Sequence, residues 1–313
     1  MTVSISSVVN VILPLFLILL LGTFIRKIGV IDWQTTKKLS SFVVNITHPF
    51  LIIASFQTEV TSDKLLIALE IIAASIVLHV SFSILARFLF KNSEKADRAT
   101  LEFGLIFGNC GFLGFPVLMA VFPTNGLFYG AAFTLVFNIY IRIYGVYLLN
   151  KGKKDSNALR KAFVNPGTIA SFIGIIMFVC SIKLPAALFN TFTTVGDLTF
   201  PLSMLVVGSL LCNQPFRNLF RRKIYIFSFA RLLLLPVLVL TICSVLFVDK
   251  GLTYVCVIMA SMPTAANTAL FSELYKSNSP LAASCVGITS LLSVVTIPAM
   301  LALTDLMMNL LGR

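Results

Sequence analysis

Two stretches decide the fold: Phe107-Gly-Asn-Cys-Gly-Phe-Leu-Gly-Phe-Pro116 and Ala260-Ser-Met-Pro-Thr-Ala-Ala-Asn-Thr-Ala269. Each lies in the middle of an apolar run that is long enough to cross a bilayer. Proline removes a backbone donor and clashes with the preceding turn, and glycine is a poor helix former, so both stretches predict a broken helix. In hydrocarbon, freed backbone groups are tolerated only where protein or a water-filled cavity satisfies them. Paired breaks in the two halves of a chain therefore indicate the binding site of a transporter.

The composition indicates a membrane protein. Of the 313 residues, 58% are hydrophobic and 12% are charged, whereas about 25% of the residues in a soluble domain are charged. The net charge of +12 could suggest a nucleic-acid partner, but the basic residues fall in short clusters between apolar runs. That distribution is typical of cytoplasmic loops. We therefore expect a lipid bilayer, and no nucleic acid, as the partner of this chain.

The apolar runs predict ten transmembrane helices. Each run is close to the roughly 20 residues that a spanning helix needs. The expected fold class is an all-α polytopic membrane protein. The ten segments are 3–25, 39–57, 65–90, 101–122, 126–149, 164–183, 195–212, 224–248, 252–272 and 280–306.

Lysine and arginine set the predicted orientation. The loops after even-numbered segments offer only Lys64, Lys183 and Lys250, whereas the loops after odd-numbered segments are rich in basic residues. Because cytoplasmic loops carry the excess of positive charge, we place the odd-numbered loops in the cytoplasm and both termini outside it. The first segment lacks the positive start of a cleaved signal peptide, so we expect it to remain as a spanning helix. The clusters are Arg26, Lys27, Lys37 and Lys38; Arg87, Lys91, Lys95 and Arg98; Lys151, Lys153, Lys154, Arg160 and Lys161; and Arg217, Arg221, Arg222 and Lys223.

A short pattern occurs twice. Asn45-Ile-Thr-His-Pro49 in segment 2 and Asp197-Leu-Thr-Phe-Pro201 in segment 7 both read polar-x-Thr-x-Pro, 152 residues apart. The same offset carries Gly111 in the first break onto Pro263 in the second. Five helices are an odd number, so the second repeat would enter the membrane from the opposite side. We therefore predict two inverted repeats, helices 1–5 in residues 1–150 and helices 6–10 in residues 151–313.

Asparagines lie at both breaks. Half-helix N-termini present unpaired N–H groups and a partial positive charge, so two of them that converge near the midplane would receive an anion. The alternative is that Asn109 and Asn267 only cap the broken backbone. Asn138 in segment 5 could face the same cavity or form an interhelical hydrogen bond. The predicted substrate-binding residues are Asn109, Cys110, Gly111, Pro116, Asn138, Pro263, Asn267 and Thr268.

Ionisable residues inside the segments leave two interpretations open. His79 could relay protons, or it could be a neutral, hydrogen-bonded histidine. His48 is assigned to a proline kink. Arg142 and Arg231 lie about two turns from cytoplasmic helix ends, so we expect them to snorkel to the interface, or alternatively to draw anions into an inward vestibule. Glu102 is expected at the interface.

No cofactor, metal site or enzyme is expected. The six cysteines lie in apolar segments and form no C-x-x-C pair, so they indicate neither a disulfide framework nor a metal site. The chain has no ATP-binding glycine-rich loop ending in Gly-Lys-Ser/Thr and no H-E-x-x-H motif.

The segments at 108–116 (Gly-Asn-Cys-Gly-Phe-Leu-Gly-Phe-Pro), 262–267 (Met-Pro-Thr-Ala-Ala-Asn) and 45–49 (Asn-Ile-Thr-His-Pro) resemble the auxin efflux carrier family. This family includes plant carriers and many bacterial permeases. The resemblance covers essentially the whole chain. The chain is similar to the short, bacterial type, because it has no long cytoplasmic loop.

The resemblance implies a fold shared with bile-acid symporters and sodium/proton antiporters. Helices 1, 2, 6 and 7 would form a scaffold that dimerises, and helices 3–5 and 8–10 a mobile transport domain. Helices 4 and 9 would cross at Pro116 and Pro263, with the substrate carboxylate near Asn109. Sodium-coupled relatives place acidic residues near this crossing, and this chain has none in 103–122 or 252–272.

Together these features predict a secondary transporter or facilitator of small organic anions, mono- or dicarboxylates, in a bacterial inner membrane. The expected movement is of the elevator type, in which the transport domain slides against the scaffold. One alternative is a proton-coupled symporter of the same substrates that uses His79. The other is a membrane sensor that binds a ligand without moving it.

Overall fold

The computed structural model describes residues 5–150, 157–212, 222–246 and 248–312. The described residues form thirteen helices when a helix that continues through a π turn or a kink is counted once. They are α1 Ile5–Lys27, α2 Trp33–Ser55, α3 Ser62–Leu89, α4 Lys95–Ile106, α5 Cys110–Val121, α6 Gly126–Leu149, α7 Ala158–Phe163, α8 Pro166–Val179, α9 Ala186–Cys212, α10 Arg222–Val245, α11 Lys250–Ser261, α12 Asn267–Leu274 and α13 Ser279–Leu310.

Seven of the described helices are long and apolar enough to cross a membrane: α1, α2, α3, α6, α9, α10 and α13. Three more, α5, α8 and α11, are apolar but shorter. Segments 4 and 9 are each divided into two helices, α4–α5 and α11–α12, because the breaks interrupt them. The prediction of an all-α polytopic membrane protein is confirmed, whereas the ten-helix inverted repeat stays a prediction.

Prolines widen three of the membrane helices. α2 contains a π turn at Val43–Thr47, α5 begins with one at Cys110–Gly114, and α10 contains one at Ala230–Leu234. In each case a proline follows two residues after the π turn, at positions 49, 116 and 236. Proline cannot donate a backbone hydrogen bond and its ring crowds the preceding turn, so the helix accommodates it by a local widening.

α1 packs along the second half of α9 at close range. A Cβ on Gly22 would lie 2.5 Å from the carbonyl oxygen of Leu205, and a Cβ on Gly208 would overlap the carbonyl oxygen of Leu19. The hydroxyl of Thr23 donates to the Gly208 carbonyl at 2.9 Å. Small residues at these positions therefore allow the two backbones to touch, as in other membrane helix pairs.

The second half of α2 packs against both α8 and α9. Gly174 of α8 lies so close to the ring of Phe56 that a side chain there would overlap it. The hydroxyl of Thr199 donates to the hydroxyl of Thr47 at 2.9 Å, so the two threonines of the repeated polar-x-Thr-x-Pro pattern contact each other. Both threonines are fully buried.

The remaining long helices enclose the two breaks. α3 packs against α6, and α10 packs against α13. The half-helices α4, α5, α11 and α12 pack on these pairs, so the broken backbone lies inside the protein rather than against lipid. This position satisfies the requirement that irregular backbone at membrane depth be buried in protein.

Candidate functional site

The two breaks cross each other and pair their backbones. Gly108 and Thr264 form an antiparallel bridge. The N–H of Asn109 donates to the carbonyl of Pro263 at 2.7 Å, and the N–H of Ala265 donates to the carbonyl of Phe107 at 3.0 Å. Each break thus satisfies backbone groups that the other leaves free.

The crossing lies at 107–109 and 263–265, so the expectation that the helices cross at Pro116 is wrong. Pro116 is buried inside α5, beyond the π turn at its start. Glycine at 108 decides the position of the crossing, because a Cβ there would overlap the guanidinium of Arg231. Only a residue without a side chain allows the backbone this close to that group.

Arg231 caps the negative ends of both interrupted helices. Its Nε donates to the carbonyl of Met262 at 2.9 Å, directly after α11, and its Nη1 donates to the carbonyl of Leu105 at 2.8 Å, at the end of α4. The side chain is 1% exposed. The expectation that Arg231 snorkels is therefore wrong: its face of α10 meets the crossing, and a buried guanidinium is stabilised by two helix C-terminal carbonyls.

A small cavity of about 30 Å³ lies between α2, α6 and the crossing. We call it the crossing cavity. It has room for about one water molecule. The starts of α5 and α12 both face it, and no carboxylate is among the described residues that line it. The lining residues are Val44, His48, Gly108, Asn109, Gly111, Phe112, Thr134, Phe137, Asn138, Ala265, Ala266 and Asn267.

Four of the predicted site residues line this cavity together: Asn109, Gly111, Asn138 and Asn267. Asn138 is buried, and its Nδ2 has no hydrogen-bond partner within the described ranges. The prediction that these residues bind substrate stays a prediction, but they share one small volume although they come from three helices and the loop before α5.

The other four predicted residues do not line the cavity. The Cys110 thiol points to α11, where it lies 3.7 Å from the Met259 carbonyl oxygen. Pro263 contributes its carbonyl to the crossing. Thr268 is fully buried and packs against Gly104 of α4, and Pro116 lies deeper in α5. Their effect on the cavity is through the backbone and the packing around it.

A larger, basic vestibule of about 650 Å³ adjoins the crossing cavity. Val44 and Asn267 line both volumes, so the vestibule leads to the amide at the start of α12. Lys37 and Arg142 also line the vestibule. A side lobe of about 470 Å³ shares Arg142 with it and adds Arg160 and Lys161. The vestibule therefore carries several cations close to the crossing cavity.

One carboxylate partly neutralises the positive charge of the vestibule. The Nζ of Lys37 on α2 lies 2.5 Å from the Oε1 of Glu273 on α12, and the Trp33 indole N–H also donates to that oxygen at 3.3 Å. Arg142 is held differently, since its guanidinium stacks 5.3 Å from the ring centroid of Phe271. Arg142 makes no ion pair with the described residues, so its charge is available to the vestibule.

Two other ionisable residues lie away from the cavity. Glu102 is 4% exposed and pairs with the Nε of Arg98 at 2.5 Å, so it is enclosed by protein, and its depth at the membrane interface stays a prediction. His79 is buried, and its Nδ1 lies 2.7 Å from the carbonyl oxygen of Ser75. Its ring is surrounded by those of Phe107, Phe133, Phe137 and Tyr140, and it does not line the crossing cavity.

The sequence interpretation missed three residues around the cavity. His48 and Thr134 line it, and Arg231 lies directly behind Gly108. The Nε2 of His48 has no hydrogen-bond partner among the described residues, and the assignment of this residue to the kink stays a prediction. The polar-x-Thr-x-Pro pattern marked the turn that carries His48, but not the face on which the ring lies.

The chain matches known proteins along nearly its full length. A family model described as "Membrane transport protein" matches residues 7–301. An uncharacterized transporter of Methanocaldococcus jannaschii is 27% identical over 304 residues, covering 92% of this chain and 96% of that protein. The uncharacterized transporter YfdV of Escherichia coli K12 is 25% identical over 301 residues, covering 91% and 94%. A Rhizobium meliloti protein named "Putative malonate transporter" is 23% identical over 309 residues, covering 95% and 96%.

These relatives are named as transporters and not as enzymes, in agreement with the buried, crossed breaks and the absence of catalytic motifs. The chain belongs to the membrane transport protein family, which is the auxin efflux carrier family that its two broken segments resemble.

Proposed function

We propose that this protein is a secondary transporter or facilitator of small organic anions, and that carboxylates bind at the crossing cavity. The observation that carries the proposal is the polarity of the crossing. The positive starts of α5 and α12 face the cavity, while the negative ends of α4 and α11 are capped by Arg231. An anion at the cavity is favoured by the helix starts and meets no uncompensated negative end.

The amides of Asn109, Asn138 and Asn267 supply donors for a carboxylate without the cost of a buried charge. The basic vestibule supports an approach from one side. Because Lys37, Arg160 and Lys161 lie between predicted spanning segments, in stretches that we assign to the cytoplasm, this side is the inward one. The protein would then lie in a bacterial plasma membrane with both termini outside the cytoplasm.

The packing supports an elevator movement of inverted repeats. α1 packs on α9, and α8 packs on α2. In the numbering of the predicted segments, segment 1 contacts segment 7 and segment 6 contacts segment 2, as expected if segments 1 and 2 repeat as segments 6 and 7. α3 packs on α6, and α10 packs on α13. In segment numbers, segment 3 contacts segment 5 and segment 8 contacts segment 10, which again matches one repeat to the other. We infer that helices 1, 2, 6 and 7 are the scaffold and the dimer contact, and that helices 3–5 and 8–10 move with the two breaks.

The name of the Rhizobium meliloti relative makes malonate a suitable first probe. Radiolabelled malonate counterflow into proteoliposomes should be detectable, and small carboxylates should compete better than amines of similar size. A clear preference for a cationic substrate would reject the proposal, because the helix starts would then face the wrong charge. A sensor would bind malonate without counterflow, so binding measured in parallel separates that alternative.

A further inference from the structure

His48 presents an unpaired ring nitrogen to the crossing cavity. It is the first residue after the π turn of α2 and is 7% exposed. The ring packs edge-on against Phe112 at 5.7 Å between centroids and lies 6.0 Å from that of Phe115. In the part of the chain that the structure describes, its Nε2 has no hydrogen-bond partner, and a Cβ on Gly111 would lie 3.0 Å from it.

A second residue that lines the cavity also carries an unpaired polar atom. The Nδ2 of Asn138 is buried and has no hydrogen-bond partner among the described residues. A buried polar atom that lacks a partner is unfavourable, so two of them around one cavity indicate a polar occupant. They come from α2 and α6, whereas Asn109 and Asn267 come from the breaks. The cavity therefore offers polar groups from three sides.

The described charged groups behind the crossing cavity and in the vestibule are mostly cationic. Arg231 of α10 lies behind Gly108, and Arg142 of α6 lies in the vestibule. The pair Lys37–Glu273 is also in the vestibule, and Asp197 is exposed on α9, the helix that packs against α2. No carboxylate of the described residues lines the crossing cavity, so nothing within it pairs with a charged imidazole.

We propose that His48 contacts the bound carboxylate and takes up one proton from the vestibule as the anion binds, so that the protein couples proton uptake to anion binding. The inference rests on the proposed function. No covalent bond to the anion forms and no electrons move; the proton passes from water to the imidazole. Burial among apolar side chains disfavours a charged imidazole, and an anion bound beside the ring would stabilise the charged form.

The chain offers a matched control, since it contains only two histidines. The Nδ1 of His79 is occupied by the Ser75 carbonyl, and its ring lies outside the cavity. Titration calorimetry of malonate with the purified full-length protein, in two buffers of different ionisation enthalpy, measures the protons taken up per anion. The pH is chosen so that both malonate carboxyls are ionised.

Wild-type protein should take up close to one proton per malonate, and its dissociation constant should rise about tenfold per pH unit in that range. His48→Gln should bind malonate more weakly and without proton uptake, whereas His79→Gln should keep the uptake. Binding by the wild type without proton uptake, or uptake that survives in His48→Gln or is lost only in His79→Gln, would overturn the inference and leave the proposed function standing.

Gly111→Ala tests the geometry without changing either histidine. Its methyl group would stand 3.0 Å from Nε2 and separate the ring from the cavity. Proton uptake should fall in this variant, and normal uptake would contradict contact between His48 and the anion. If malonate and a panel of small mono- and dicarboxylates do not bind to the wild type at all, the proposed function itself fails.

Discussion

Asn109 takes part in the crossing twice, once through its backbone and once through its side chain. The backbone N–H pairs with Pro263, and the residue also lines the crossing cavity. These two contributions can be separated by mutation, because alanine keeps the N–H and removes only the amide.

Asn109→Ala should therefore weaken carboxylate binding with little effect on stability. Loss of one hydrogen bond to a charged group corresponds to about 1.5–3 kcal/mol, or roughly a 10- to 150-fold weaker affinity. The measurements are malonate affinity and the melting temperature without ligand. Asn190→Ala, at an exposed asparagine of α9, is the control. An Asn109→Ala protein that unfolds, while its folded fraction binds normally, would reduce this residue to a backbone cap.

Arg231 should matter to the fold as much as to the site. Arg231→Met removes the two charged hydrogen bonds to Leu105 and Met262 and leaves both buried carbonyls without a donor. Each lost bond is expected to cost about 1.5–3 kcal/mol, so the melting temperature should fall clearly. Arg231→Lys keeps the charge but not the forked geometry, and should be intermediate.

Arg142→Met is the matched comparison, since Arg142 makes only a long contact of 3.4 Å to Asn165 and stacks on Phe271. It should melt close to the wild type. Equal melting temperatures for Arg231→Met and the wild type would show that the cap is not needed to hold the crossing together.

The residues that sequence reasoning found and missed differ in a simple physical respect. Asn109 and Asn267 could be located because the breaks are written into the local sequence as glycine and proline. Arg231 and His48 lie in helical runs, where sequence alone does not show which face meets which neighbour. Distance from a helix end suggested that Arg231 reaches the interface, but its face of α10 meets the crossing, and tertiary packing decided the outcome.

At the scale of helices, the described elements overlap the predicted apolar segments but begin and end at other residues. Segment 2 was expected at 39–57 and segment 7 at 195–212, whereas α2 begins at Trp33 and α9 at Ala186. Both helices begin in amphipathic or polar turns that hydropathy leaves out. The sequence does not predict the three π turns before prolines either, because the adjustment before a proline depends on which neighbours satisfy the freed carbonyls.

The contact between α1 and α9 provides a test at this scale. A Cβ at position 208 would overlap the Leu19 carbonyl, so Gly208→Ala forces the two helices apart. We expect a loss of about 1–3 kcal/mol from overpacking, partly offset by the better helix propensity of alanine. Thermal melting in detergent measures the change.

Gly251→Ala is the control for that substitution, because a Cβ there would meet only the carboxylate of Asp249, at 3.1 Å. It should melt near the wild-type temperature. If Gly208→Ala were as stable as Gly251→Ala, the close approach of α1 and α9 would not require glycine.

For the whole molecule, the charge distribution predicts the orientation in the membrane. Glu59→Cys lies in the loop between α2 and α3, which we place outside, and Asp155→Cys lies in a basic loop that we place inside. In a cysteine-free background, an impermeant maleimide added to intact cells should label position 59 and not 155. Position 155 lies outside the described residues, so this assignment depends on the lysines and arginines alone. The reverse labelling pattern would invert the proposed topology.

We also expect the positive charge of the vestibule to attract anions before they make contact with it. Arg160→Gln removes an exposed charge of its side lobe, and should slow malonate entry from the cytoplasmic side by at least about twofold at low ionic strength. The difference should shrink in about 0.5 M salt, where the field is screened within a few ångströms. Lys183→Gln, in the loop after α8 that we place outside the cytoplasm, is the control. An unchanged ratio at both salt concentrations would exclude steering.

The small size of the crossing cavity bears on electrical leak. With room for about one water molecule, the space between α2 and the breaks holds no continuous file of water or ions. An anion can enter only when these walls separate, and the free energy of that separation lowers its apparent affinity. The same tight contact should prevent ion flow between transport cycles. We therefore expect the protein to carry almost no current in the absence of substrate, even at full membrane potential.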